Sequence, residues 1–226
     1  SKNMNLIKLK INVLSTMGEK ELVLKEMAKL EKMGGEDAQV LTWLGQDALD
    51  NGEYEKAKGL FDKVIEKDDT NAIGYLGAGK ALFKMGKKQA AMEQFKIAEQ
   101  YGGSDYLVLV NIGDAYMDLQ KYSQAINYYA RVEMLKKADI SVLHNLGKCY
   151  MSKKTPNFQK AIQYFKKALS LDGRFLPSMM GITVAYYSNK DHKKAYYWAK
   201  KVLKRKNDKY IAEIVSNIEK SGVLNK

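Results

Sequence analysis

Small and apolar positions return along the chain with a period of 34 residues. Gly45, Gly79, Gly113 and Gly147 mark that period. Their surroundings agree: Leu44-Gly45-Gln46-Asp47-Ala48, Ala78-Gly79-Lys80-Ala81-Leu82, Ile112-Gly113-Asp114-Ala115-Tyr116 and Leu146-Gly147-Lys148-Cys149-Tyr150. Twelve residues after the first three glycines stand Ala57, Ala91 and Ala125, and four further on stand Phe61, Phe95 and Tyr129. After Gly147 the same pair arrives two residues late, as Ala161 and Phe165, which places an insertion around Lys153 to Asn157. Helix breakers punctuate the pattern: Gly18, Gly52 and Gly86 inside the repeats, Gly34-Gly35 and Gly102-Gly103 between them. Near the C-terminus Ile211, Ile214, Val215 and Ile218 share one helical face and predict a closing helix over 208–220.

One repeat of this length cannot bury its own apolar face, so neighbours must stack to make a continuous core. A small residue at position 8, an aromatic near 11, alanine at 20 and an aromatic at 24 resemble the tetratricopeptide repeat (TPR) family. Counting outward gives repeats at 4–37, 38–71, 72–105, 106–139, 140–175 and 176–209, so the resemblance covers almost the whole chain. The first repeat departs from the pattern with Ile11 and Val23. The sixth has Thr183 and Ala199 at positions 8 and 24 and keeps Ala195. The resemblance implies an all-α fold, a single TPR α-solenoid over 1–226 built as a right-handed superhelix of antiparallel helix pairs. The first repeat and the closing helix would then act as caps. Within a repeat, the position-8 glycine would lie against the position-20 alanine, with the aromatic reaching toward the next pair.

Composition sharpens this picture in few places. Two prolines, Pro156 and Pro177, suit helices better than a turn-rich β fold. The single cysteine, Cys149, excludes an intramolecular disulfide framework and suits a reducing, cytoplasmic setting. No stretch approaches the roughly 20 apolar residues that span a bilayer. The run from Leu6 to Leu14 is broken by Lys8, Lys10 and Asn12, a poor core for an export signal.

The sequence offers little chemistry. Gly74 to Lys80 reads GxxxxGK, but Ala81 stands where a phosphate-binding loop needs a hydroxyl for Mg²⁺, and Gly79 already belongs to a repeat helix. His144 and His192 are the two histidines, with neither HExxH nor paired cysteines around them, so no zinc site is expected. Cys149 beside a repeat glycine reads as a packing residue rather than a nucleophile. Asp68-Asp69 lies at a repeat boundary, where it can cap the next helix. The expectation is a protein that is not an enzyme and has no cofactor and no metal.

What the TPR resemblance implies instead is a concave groove lined by first helices, with positions 2, 5, 9 and 12 facing it and position 6 at its wall. In the third repeat these are Ile73, Leu76, Lys80 and Phe83. The fourth supplies Leu107, Val110, Asp114 and Met117; the fifth, Ser141, His144, Lys148 and Met151; the sixth, Met180, Val184 and Tyr187. Asn111 and Asn145 at position 6 have amides suited to a bound peptide's backbone. A groove with such an apolar middle suits a peptide or amphipathic helix of a partner protein, or another segment of the same polypeptide that covers it. The carboxylate clamp of co-chaperone TPR domains is not expected: Lys8 and Asn12 match it, whereas Trp43, Ile73 and Gly77 do not.

Charge adds a second candidate surface. Residues 1–139 carry 20 basic and 21 acidic side chains, whereas 140–209 carry 16 and 3, so the net +12 sits in repeats five and six. Lys160, Lys166, Lys167, Lys193, Lys194, Lys200, Lys201 and Lys204 fall on second helices, a basic patch for an acidic protein, nucleic acid or an anionic membrane surface. Tyr196, Tyr197 and Trp198 interleave with it, as stacking on bases would require, although aromatics there also serve as core between helices. Nucleic acid is the weaker of these readings, because patch charge alone carries no partner identity. A third reading is self-assembly, one copy's terminal region entering another's groove.

Overall fold

The computed structural model describes residues 2–33, 38–135 and 139–225. Gly34-Gly35, read above as a breaker, lies outside them. The described residues form thirteen α-helices and no strand. In chain order they are α1 (Lys2–Thr16), α2 (Lys20–Lys32), α3 (Ala38–Asp50), α4 (Tyr54–Lys67), α5 (Ala72–Lys84), α6 (Lys88–Gly102), α7 (Tyr106–Asp118), α8 (Tyr122–Met134), α9 (Ile140–Ser152), α10 (Phe158–Leu171), α11 (Leu176–Ser188), α12 (His192–Leu203) and α13 (Lys209–Lys220). A 3₁₀ turn follows at Val223–Asn225. The insertion around Lys153 to Asn157 lies in the turn between α9 and α10. Among the described residues no helix is long and apolar enough to cross a membrane.

Side-chain caps set several helix starts. Asn71 accepts from Ile73 N and Gly74 N at 3.1 Å each, and Asp105, Asp139, Asp191 and Asp208 play the same part for α7, α9, α12 and α13. The expectation that Asp68 or Asp69 caps α5 is therefore corrected. Asp68 ends α4 and accepts from the Thr70 amide at 3.1 Å and hydroxyl at 2.7 Å, holding the turn that delivers Asn71. Gly18, Gly52 and Gly86 turn the chain with φ of 76°, 79° and 79°. At the matching place in later repeats Gln120 and Lys190 adopt φ of 57° and 62°, a conformation that strains a residue with a Cβ.

The helices gather into two compact blocks, Ser1–Val108 and Leu109–Lys226. In both, a buried aromatic from a second helix seats against a glycine of the first helix. A Cβ added to Gly45 would lie 2.9 Å from the Phe61 ring, one on Gly79 2.6 Å from Phe95, and one on Gly147 2.5 Å from Phe165. The position-8 glycine thus makes room for the position-24 ring, and at Gly79 the added Cβ would also lie 3.3 Å from the Ala91 backbone oxygen, the close approach expected of that pair. Phe61 and Phe165 also press on Gly77 and Gly181 of the following repeat, so each ring joins two repeats. Ile211, Ile214, Val215 and Ile218 of α13 are buried with Ala195, Ala199 and Val202, closing the C-terminal block.

Candidate functional site

In the N-terminal block α3 and α5 lie side by side, and Lys80 Nζ donates to Gln46 Oε1 across 34 residues of sequence at 3.5 Å. Ile73, Lys80 and Phe83 are half-buried, and Leu107 at the start of α7 is 52% exposed. Leu76, expected to face a groove, is 4% exposed and belongs to the core. α4 and α6 close on α5 at its glycines, Phe61 against Gly77 and Phe95 against Gly79, so burial spreads round to position 5. The GxxxxGK segment lies along this helix, where the Gly74 N–H donates to the Asn71 cap and those after it are engaged in helical bonding rather than arranged to cradle phosphate.

In the C-terminal block side-chain bonds tie neighbouring first helices together. Asn145 Nδ2 donates to Asp114 Oδ1 at 3.2 Å, linking α9 to α7, and His144 Nδ1 lies 3.1 Å from Ser178 Oγ, linking α9 to α11. Tyr129 from α8 donates its hydroxyl to the same Asp114 oxygen. Burial raises the Asp114 carboxyl above the usual carboxylate range and pushes the Tyr129 phenol far up. The Asn145 amide, expected to meet a partner's backbone, is engaged inside the protein. Burial, with the nearby Lys148 charge, draws His144 down to about 4, and burial pushes the Cys149 thiol up to about 12, so both are neutral at pH 7. His144 packs between Phe165 and the edge of Phe175, at 5.3 and 5.5 Å between ring centres.

Around this polar pair Val110, Asn111, Met117, Met151, Met180, Val184 and Tyr187 are half-buried, and Lys148 and Ser141 are exposed. Met180, Val184 and Tyr187 rest on the core of repeat six, Met151 on that of repeat five. The first-helix side of this block therefore offers apolar and thioether surface that its core fills only in part.

All eight lysines of the basic patch are exposed, seven on α10 and α12 and Lys204 at the C-terminal cap of α12. Lysines also cover the aromatic faces beside them. Lys160 lies over Tyr150, Lys167 over Tyr164, Lys194 over Tyr186, Lys200 over Tyr196, and Lys201 over both Tyr197 and Trp198. Tyr197 is 56% exposed, whereas Trp198 packs on the core of repeats five and six. On each of these rings a lysine competes with a stacked base for one face. For two of these pairs, Tyr196 with Lys200 and Tyr197 with Lys201, the i,i+4 spacing was the sequence signal.

A family model described as Psidin, N-terminal TPR repeats region, matches residues 46–171, more than half the chain. No curated protein matches the sequence significantly. Among solved structures, YrrB, described as a TPR protein with an unusual peptide-binding site, is 20% identical with a TM-score of 0.68, covering 84% of this chain and 97% of its own. PilF of Pseudomonas aeruginosa is 18% identical with a TM-score of 0.68, covering 83% and 89%. Yeast Tom70 is 18% identical with a TM-score of 0.66, covering 90% of this chain and 43% of that one. At these identities the likeness is one of fold.

Proposed function

The chain belongs to the family of Psidin N-terminal TPR repeat regions, and from that premise we propose that it is a non-catalytic interaction module. It holds a helix or extended segment of a partner protein against its first helices. The observation that carries this reading is the row of half-buried apolar side chains, Met151, Met180, Val184 and Tyr187, on α9 and α11. An unfilled apolar surface of this kind gains free energy when a partner covers it, and unbranched methionines adapt to the shape that arrives. The peptide-binding site named for YrrB fits the same reading. The protein acts in a reducing compartment, the cytoplasm, in keeping with Cys149 as its one cysteine.

Photo-crosslinking tests the assignment. A benzophenone side chain at Lys148, on a first helix, should capture the bound partner, and one at Lys193, on a second helix, should not. Capture from Lys193 alone would overturn the groove reading.

A second reading concerns the exposed lysines of α10 and α12. Because lysines cover the neighbouring aromatic faces, this surface suits an acidic protein better than stacked bases. Binding there would fall steeply with salt, whereas apolar groove binding would not.

A further inference from the structure

The first repeat breaks the ring-on-glycine rule, and the break leaves a hole. Met27 stands where Phe61 stands one repeat later, Ile11 replaces the glycine and Val23 the alanine. Trp43 occupies the place of Gly77, where the ring would otherwise press on the next repeat. Met27 is a narrower side chain than a phenyl ring and does not fill the space. A cavity of about 270 Å³ opens there, within the N-terminal block, lined by Ile11, Val23, Leu24, Met27 and Trp43 and by Asp47 and Asp50.

The burial of its lining gives the cavity a direction. Ile11 and Met27 are 1% and 3% exposed and make an apolar floor. Val23, Leu24 and Trp43 are half-buried walls, and Asp50 and Gln46 are exposed at the mouth, with Asp47 half-buried beside them. Both carboxylates accept hydrogen bonds from neutral amides, Asp47 from Asn51 at 3.1 Å and Asp50 from Gln46 at 2.8 Å. Among the described residues neither is paired with a cation. The volume falls just under the range usual for drug-sized ligands, so it suits a single large side chain.

We propose that this cavity is an anchor site for an apolar side chain flanked by a basic residue in a partner protein's segment. The apolar group enters between Trp43 and Met27, and the neighbouring lysine or arginine meets Asp47 and Asp50 at the mouth. An acidic neighbour would face two like charges, so the site selects by charge as well as by shape. The proposal rests on the partner-binding reading for its biological occupant. Its test uses synthetic probes, so it can fail while binding at α9 and α11 holds.

The experiment follows the Trp43 indole N–H by NMR in the full chain. The chain has two tryptophans, and a Trp198→Phe variant assigns the signals. A capped pentapeptide with leucine between two lysines is compared with one in which glutamates replace the lysines. The expected result is a Trp43 shift that saturates at about tenfold lower concentration with the lysine peptide at low salt. Asp47→Asn with Asp50→Asn should erase that preference while leaving the helical circular dichroism unchanged, since both positions sit at the mouth. Leu24→Phe, which fills the cavity, should abolish the shift for both peptides. Equal affinity for the two peptides would overturn the proposal, as would an undiminished preference in the double asparagine variant. Binding of 3-methylbutylammonium with no binding of either peptide would assign the site to free amines and overturn the protein partner.

Discussion

Gly113 faces the ring of Tyr129, and a Cβ built on that glycine would lie 2.7 Å from the ring. The ring is fully buried and its hydroxyl is tied to Asp114, so it has nowhere to retreat. Gly113→Leu should therefore destabilise the protein by about 1–3 kcal/mol or more, as overpacking does. The exposed Lys121→Ala should stay within about 0.5 kcal/mol of wild type. Thermal melts that coincide for the two variants would show that the ring does not depend on the missing side chain.

Gln120 and Lys190 bear a strain that Gly18, Gly52 and Gly86 avoid. The left-handed conformation costs roughly 1–2 kcal/mol for a residue with a Cβ. Glycine gives back about 0.5–1 kcal/mol through its freer unfolded chain. Gln120→Gly and Lys190→Gly should each raise stability by about 0.5–1 kcal/mol, a shift of about one to four degrees in melting temperature for a chain of this length. Gly86→Ala should lower it by a comparable amount. A loss of stability in both glycine variants would mean that the side chains compensate for the strain.

His144 should make the protein acid-sensitive. Burial, aided by Lys148, draws its pKa from 6.5 to about 4 in the folded chain. Between those values the unfolded chain binds a proton that the folded chain refuses, so stability falls as pH drops through the window from 6.5 to 4. The shift alone would correspond to about 3 kcal/mol, and because His144 is only half-buried, solvent screening brings the full loss below that. Asp114 works the other way, since its raised pKa lets the folded chain hold a proton more tightly than the unfolded one toward low pH. The comparison must therefore be made between variants. Denaturant melts at pH 7 and pH 4.5 should show a smaller drop for His144→Gln than for wild type. An equal drop would place the proton elsewhere.

The fold was legible because its cause is periodic: each ring needs a gap one helix away, and the 34-residue recurrence of Gly45, Gly79, Gly113 and Gly147 records it. That the ring at 24 comes closer to the glycine than the alanine at 20 was not legible, since both lie on the same side of the second helix. Leu76 was misplaced for a related reason. Position alone gives its angle on α5, but Gly74, Gly77 and Gly79 let neighbouring helices close over more of that helix than the spacing implies. The pairs of Tyr196 with Lys200 and Tyr197 with Lys201 were readable from i,i+4 spacing, whereas Lys160 over Tyr150 and Lys194 over Tyr186 join neighbouring helices and were not. The Asp114–Asn145 bond joins groups 31 residues apart and needed the stacked helices to be seen. The N-terminal cavity came from absences in the pattern, Met27 for a ring and Ile11 for a glycine, and was written in the sequence as a departure.

Partner capture should separate the first-helix surface from the basic one. Met151→Glu with Val184→Glu places two charges among half-buried apolar side chains of α9 and α11. Against a partner's apolar anchor those charges lose the contact and must also be desolvated, so affinity should fall by several kcal/mol. Because both positions are partly exposed in the free protein, the fold should survive, and circular dichroism checks that. Leu76→Glu is the instructive contrast. It buries a carboxylate in the core of α5 and should unfold the N-terminal block rather than act on binding alone. Reversing Lys193, Lys194, Lys200 and Lys201 to Glu should slow association and flatten its salt dependence, while the dissociation rate changes little, because a rim of charge steers more than it holds. Full binding by the Met151/Val184 variant, with loss in the charge-reversed one, would transfer recognition from the first helices to the lysines of α12.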